Sequence, residues 1–286
     1  MRSVVLWGGD LASKRKIKPL SVNKAHNANQ CDSNKATCDS NADNTADSNA
    51  NFGILHLATK YIPSHTPEDI SSLIDSNIAF GSEILEATMD LKPRFFVNIL
   101  TFSQFANSHA YNPASFYDAT KQAFYEIIEL YKNTFKETKF LHILLYNTYG
   151  SNDTRDKILN LWDKISQNGE DLAMSAGEQC IDISHIDDVV RGLDMAIKSA
   201  ESLDSNKIYT LENFPRYTLK DIAKIFETAT KRELKIAWGA KPYRKNEIFS
   251  PVSSADSPAF VKLPKYEAKI SLESGIKQVF LHKNRF

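Results

Sequence analysis

Cysteine is scarce in this chain: Cys31, Cys38 and Cys180 are odd in number and lack zinc-ligand spacing. That argues against a disulfide framework and fits a reducing compartment. No apolar run approaches the roughly 20 residues of a membrane span, and Val4-Val5-Leu6-Trp7 is too short for a signal-peptide core. A cytoplasmic protein with no membrane partner is therefore expected. Charge of either sign is not in excess, since Lys plus Arg and Asp plus Glu both number 35, so no global field favours nucleic acid. No metal site is expected either.

A second shortage is local. From Asn23 to Asn51 there is no aliphatic side chain larger than Ala and no Phe, Tyr or Trp, and Asp-Ser-Asn recurs at 32–34, 39–41 and 47–49. Such a stretch cannot bury enough apolar surface to offset the entropy of ordering it, so it is expected to be disordered. Glycine is thin where a dinucleotide fold needs it. Gly8-Gly9-Asp10, after Val4-Val5-Leu6-Trp7, is the one candidate for a phosphate-binding turn, and its Asp10 would set a carboxylate against a phosphate. The first βαβ unit thus reads as degenerate, and residues 1–51 as a low-complexity N-terminus.

From Phe52 onward the character changes. With 42% apolar residues in 286, the chain can bury a large core. Phe52–Thr59, Phe95–Thr101 and Phe140–Leu145 read as continuous apolar strands. Thr66-Pro67-Glu68-Asp69 is a strong helix start, followed by Ile70, Leu73, Ile74, Ile78, Gly81, Ile84 and Leu85 on one expected apolar face. A helix over about 115–132 packs through Phe124, Ile127, Ile128 and Tyr131, and another runs from Leu219 to Thr230.

The chemistry gathers on the 115–132 helix. Tyr117 and Lys121, four residues apart, face the same way, a proton donor beside a cation that would lower its pKa. The strand before it ends in the hydroxyl of Thr101. This order, with Asn112-Pro113 leading in and Thr120-Lys121-Gln122-Ala123-Phe124 following, resembles the extended short-chain dehydrogenase/reductases of the nucleotide-sugar epimerase/dehydratase type. The resemblance extends over roughly Phe52 to Phe286 through Asn77-Ile78-Ala79-Phe80-Gly81, Tyr146-Asn147-Thr148-Tyr149-Gly150, Cys180–Val190, Tyr243-Arg244-Lys245-Asn246-Glu247 and Ser271–Ile276. Its flavour at Leu57–Tyr61 and Tyr146–Gly150 is similar to nucleotide-sugar synthases of the CDP-abequose/paratose type.

The resemblance implies an α/β, Rossmann-like, doubly wound and mainly parallel sheet over 52–286, with a small C-terminal substrate lobe at about 152–180 and 205–275. It implies a catalytic set of Thr101, Tyr117 and Lys121, with NAD or NADP held by Leu57, Ala58, Thr59, Asn77, Tyr117, Lys121 and Tyr146, more weakly than usual because the Gly-rich turn is missing. A nucleotide-sugar substrate would meet Thr101, Asn147 and Arg244, and His185 would be structural or substrate-facing. A homodimer through helices 67–90 and 115–132 is also implied. The alternative is a non-catalytic remnant that keeps the fold but cannot hold the dinucleotide.

Overall fold

The computed structural model describes residues 3–7, 52–151 and 153–281. The stretch 23–51 and the Gly8-Gly9-Asp10 turn lie outside the described residues. Strand β1 (Ser3–Trp7) pairs in parallel with β2 (Phe52–His56), from Ser3 against Phe52 to Trp7 against His56. Next come α1 (Asp69–Ile74), a π-helical turn (Asp75–Ala79), α2 (Phe80–Thr88), β3 (Phe95–Thr101), α3 (Phe116–Thr134), β4 (Lys139–Leu145), β5 (Asn147–Tyr149) and α4 (Ile158–Asn168). The chain continues through β6 (Leu172–Met174), β7 (Cys180–Ile181), β8 (Ile183–His185), α5 (Ile186–Lys198), β9 (Ile208–Thr210), β10 (Tyr217–Thr218), α6 (Leu219–Thr230), β11 (Ile236–Trp238), β12 (Phe260–Lys262) and α7 (Leu272–Ile276).

Six strands form one parallel sheet in the order β1-β2-β3-β4-β9-β12. Successive side chains of a strand point to opposite faces, so a strand covered on both sides reads as an unbroken apolar run. β2, β3 and β4 follow this except at His56, Asn98 and His142, one buried polar residue in each. Ile54, Phe96 and Phe140 pack with Ile84 and Leu85 of α2 and Phe124 and Ile128 of α3. Leu55, Val97, Leu141 and Ile143 pack on the other face with Val189, Leu193 and Ala196 of α5. The fold is a Rossmann-like doubly wound sheet, as expected. A separate core unites Leu159, Trp162 and Ile165 of α4 with Ile222 and Phe226 of α6 and Ile276 of α7.

The helical region after Thr66 departs from expectation. Leu73, Ile84 and Leu85 are buried, but Ile70 and Ile74 are exposed. The π turn at Asp75–Ala79 is the cause, because its wider winding rotates the face of α1 relative to that of α2. The same turn drives Asn77 inward, to 1% exposure. Gly81 then lets α2 lie close on α3, since a β-carbon there would collide with the Phe124 ring. Helix α3 is seated by that approach, and its start is fixed by Ser115, whose hydroxyl accepts from the Asp118 N–H at 3.3 Å.

Candidate active site

Tyr117 and Lys121 lie one turn apart on the buried face of α3. Lys121 is 3% exposed and has no hydrogen-bond or ion-pair partner among the described residues. Burial lowers its ammonium to about 8. The phenol behaves differently from the sequence expectation. Burial pushes the Tyr117 hydroxyl up, the Thr59 side chain pulls it down, and the Asp118 and Tyr61 charges push it up again. Lys121 is not among the groups that shift it. Desolvation is the largest of these effects, so the expected lowering of the phenol is corrected to a rise.

Asn77 organises the loop after β2. Its Oδ1 accepts from Thr59 Oγ1 (3.1 Å) and the Lys60 N–H (2.7 Å), while its Nδ2 donates to the Lys60 carbonyl (3.0 Å) and Thr120 Oγ1 (2.9 Å). Thr120 in turn donates to the Tyr117 carbonyl at 2.7 Å. Thr59, Asn77 and Tyr117 are thereby brought into one assembly. Ala58 is buried beside it and Leu57 is exposed.

Thr101 joins α3 by a second route. Its N–H donates to Gln104 Oε1 at 3.0 Å, which closes the turn after β3, and its hydroxyl meets Ser103 Oγ at 2.8 Å. Ser103 donates to Asp118 Oδ1, and Ser115 donates to Asp118 Oδ2 at 2.7 Å. Burial raises the Asp118 carboxyl, and hydrogen bonds from Ser103, Ser115 and the backbone at Ala114 and Ser115 draw it down. Asp118 adjoins Tyr117 in sequence, so Thr101 is tied to the first turn of α3 through two side chains for which sequence reading found no role.

Beneath this face the sheet carries a polar row. His56, Asn98 and His142 are register partners on β2, β3 and β4, and none is more than 1% exposed. Asn98 Nδ2 lies 3.4 Å from His142 Nδ1, and His142 Nε2 lies 3.2 Å from Glu129 Oε1. Burial, and then the Lys121 charge, lower His56 to about 3. Burial outweighs Glu129 at His142 and lowers it too. Two neutral imidazoles therefore lie under the lysine.

Tyr61 packs edge-on against Tyr117, with ring centroids 5.0 Å apart. The fields of Arg244 and Arg155 both reach Tyr61, and that of Arg155 also reaches Tyr117. Arg155 is held by Asp153 through bonds of 2.7 and 2.8 Å beside a cavity of about 540 Å³ lined also by Asp156, Asn160 and Lys164. Sequence reading gave Arg155 no role, because nothing local shows that it approaches a tyrosine 38 residues earlier. Arg244 is exposed at a turn where Asn107 Nδ2 holds the Glu247 carbonyl at 2.7 Å and Asn246 Nδ2 the Ala114 carbonyl at 3.1 Å.

The remaining predicted residues sit at the end of β4. Tyr146 donates its hydroxyl to the Val252 carbonyl at 2.8 Å, with its ring between Phe102 and the Arg216 guanidinium. Asn147 Nδ2 donates to the Asp182 carbonyl at 3.1 Å. These bonds tie both to segments later in the chain, with no hydrogen bond to Tyr117 or Lys121. His185 is buried and caps α5, its Nδ1 accepting from the Asp187 N–H at 3.2 Å.

Solved structures share the fold. UDP-glucuronic acid 4-epimerase from Bacillus cereus, in complex with UDP-glucuronic acid and NAD, is 20% identical with a TM-score of 0.69, covering 79% of this chain and 73% of that one. The dTDP-glucose 4,6-dehydratase of Streptomyces venezuelae, with NAD bound, is 17% identical with a TM-score of 0.66, covering 80% and 72%. In sequence, the CDP-abequose synthase of Salmonella muenchen is 27% identical over 230 residues, covering 80% of this chain and 76% of the relative. That of Yersinia pseudotuberculosis is 25% identical over 203 residues, covering 69% of each. Residues 12–211 match the model of the NAD dependent epimerase/dehydratase family, and the chain belongs to that family.

Proposed function

We propose that the chain is an NAD(P)-dependent oxidoreductase, epimerase or dehydratase acting on a sugar carbon of a nucleotide sugar. The observation that carries this reading is Lys121, a dry ammonium with no protein partner among the described residues, one turn from a buried phenol. Keeping such a charge unpaired costs stability, and a ribose diol is a group of the right chemistry to pair with it. Thr59 bonds both Asn77 and the Tyr117 hydroxyl, and the small Ala58 lies next to it in the chain, so the residues present fit a nicotinamide dinucleotide. When bound, that cofactor supplies hydride transfer.

In this reading Tyr117 moves the hydroxyl proton of the sugar, Lys121 holds the nicotinamide ribose, and Thr101 positions a sugar oxygen. Lys121, near 8, stays charged at neutral pH and can donate to a ribose diol, while the raised Tyr117 phenol keeps its proton in the free chain. Arg155 and Arg244, whose fields converge on Tyr61, suit the diphosphate of a nucleotide sugar. The likeness to CDP-abequose synthases makes CDP-linked sugars the first to try, and a supply step for surface polysaccharide the corresponding role. Ile70, Ile74 and Leu130 leave apolar surface exposed on α1 and α3, in keeping with a homodimer through helices 67–90 and 115–132.

Thermal shift with NAD, NADP and a panel of CDP-, UDP- and dTDP-sugars tests the proposal, because a ligand that binds only the native state raises its melting temperature. Stabilisation by a dinucleotide and by at least one nucleotide sugar, followed by turnover of that pair, is expected. No response to any dinucleotide at millimolar concentration would refute it and favour the remnant.

A further inference from the structure

Each hydroxyl in the chain Thr101–Ser103–Asp118–Ser115 has one proton to give, and an ionised carboxylate has none. Asp118 sits in the first turn of α3, where the helix dipole favours an anion, and its two oxygens face the hydroxyls of Ser103 and Ser115. Ser103 therefore spends its proton on Asp118. The Thr101–Ser103 contact of 2.8 Å, which by geometry could run either way, must then run from Thr101 to Ser103.

We infer that Asp118 is a positioning residue that orders these protons through Ser103, so that Thr101 meets its ligand with a lone pair and not with a proton. Thr101 Oγ1 otherwise accepts only a long bond from the Ser103 N–H, at 3.5 Å. Thr101 is half-buried, and its hydroxyl has no protein partner but Ser103 among the described residues. The partner it selects is a hydrogen-bond donor, a sugar hydroxyl, and a carbonyl oxygen is left to Tyr117. This rests on the proposed function for the identity of the ligand, but the proton order belongs to the protein alone.

A simpler account competes with it: Ser115 and Asp118 cap α3 reciprocally, and the carboxylate does no more. Ser103 separates the two, since it takes no part in that cap. The first measurement needs no substrate. In protein labelled with carboxyl-¹³C aspartate, with the Asp118 resonance assigned by loss in Asp118→Asn, the Asp118 titration is followed in the native chain, in Ser103→Ala and in Thr101→Val. Loss of the Ser103 donor is expected to raise the midpoint, and Thr101→Val, two bonds away, to raise it by a smaller amount that disappears in the Thr101→Val/Ser103→Ala double variant. An unchanged midpoint in Thr101→Val would overturn the inference, whatever the protein's substrate.

The second measurement uses the cofactor and sugar nucleotide found by thermal shift. Ser103→Ala should lower kcat/KM about tenfold, the effect of one lost hydrogen bond, measured on protein that is folded at the assay temperature. Ser103→Thr, which keeps the hydroxyl, should restore it. Full activity in Ser103→Ala would overturn the positioning role. Coupling in the titration together with no turnover of any nucleotide sugar would instead count against the proposed function and leave the proton order standing.

Discussion

Replacing Lys121 with methionine removes a charge that the folded chain keeps dry and unpaired, while leaving a side chain of similar length to fill the space under α3. The ammonium titrates at 10.5 in the unfolded chain and at about 8 in the folded one. A gap of about 2.5 at about 1.4 kcal/mol each is a penalty on the order of 3 kcal/mol. Proton counting gives its sign. Between pH 8 and 10.5 the unfolded chain holds more protons than the folded one, so stability rises with pH across that window, and the whole penalty is present below it. Lys121→Met should therefore be more stable than the native chain at pH 7, by roughly 6 °C or more in melting temperature at about 2–4 °C per kcal/mol. The advantage should shrink above pH 8 and vanish near 10.5. Calorimetric melting of nucleotide-free protein at pH 7, 9 and 10.5 reads this directly. A methionine variant that melts at or below the native chain at pH 7, or one whose advantage is the same at every pH, would show that the lysine is paired or wet. The same variant should lose cofactor binding and turnover, which is the trade of stability for function expected at an active site.

Tyr117→Phe should abolish turnover and leave the melting temperature within a degree or two, because it deletes one hydroxyl at constant ring volume; a purified variant with near-normal rate would assign the proton transfer elsewhere. Asn77→Ala should cost about 2–4 kcal/mol, since it strands the Lys60 N–H and carbonyl and the Thr120 hydroxyl around a buried site, and urea unfolding with no change in midpoint would contradict the network. His56 is neutral in the folded chain and titrates at 6.5 in the unfolded one, so its contribution is present above pH 6.5 and is lost as pH falls toward 3, at about 1.4 kcal/mol per pH unit. His56→Phe should flatten the loss of stability between pH 6 and 4, and an unaltered slope would mean that the ring is not dry.

Much of this protein is determined by sequence alone because the signals are local. The helix Leu219–Thr230 starts at a Thr218 cap and runs for the length that its apolar period requires. The strands at Phe95–Thr101 and Lys139–Leu145 are mainly apolar, with Asn98 and His142 as their interior polar residues, because both faces of the sheet are covered. Tyr117 and Lys121 share a face because they are four residues apart on a helix. What the tertiary structure decided depends on approach between segments distant in the chain. The π turn that rotates Ile70 and Ile74 outward and Asn77 inward leaves no mark in a periodicity count, because it changes the period itself. The direction of the Tyr117 shift was set by burial under neighbouring elements. The row His56–Asn98–His142 exists only once three strands are in register, and Asp118 becomes more than a helix cap only because the turn after β3 brings Ser103 and Thr101 to its carboxylate. Local periodicity fixes which residues share an element; which polar groups meet in the dry space between elements is fixed by packing alone.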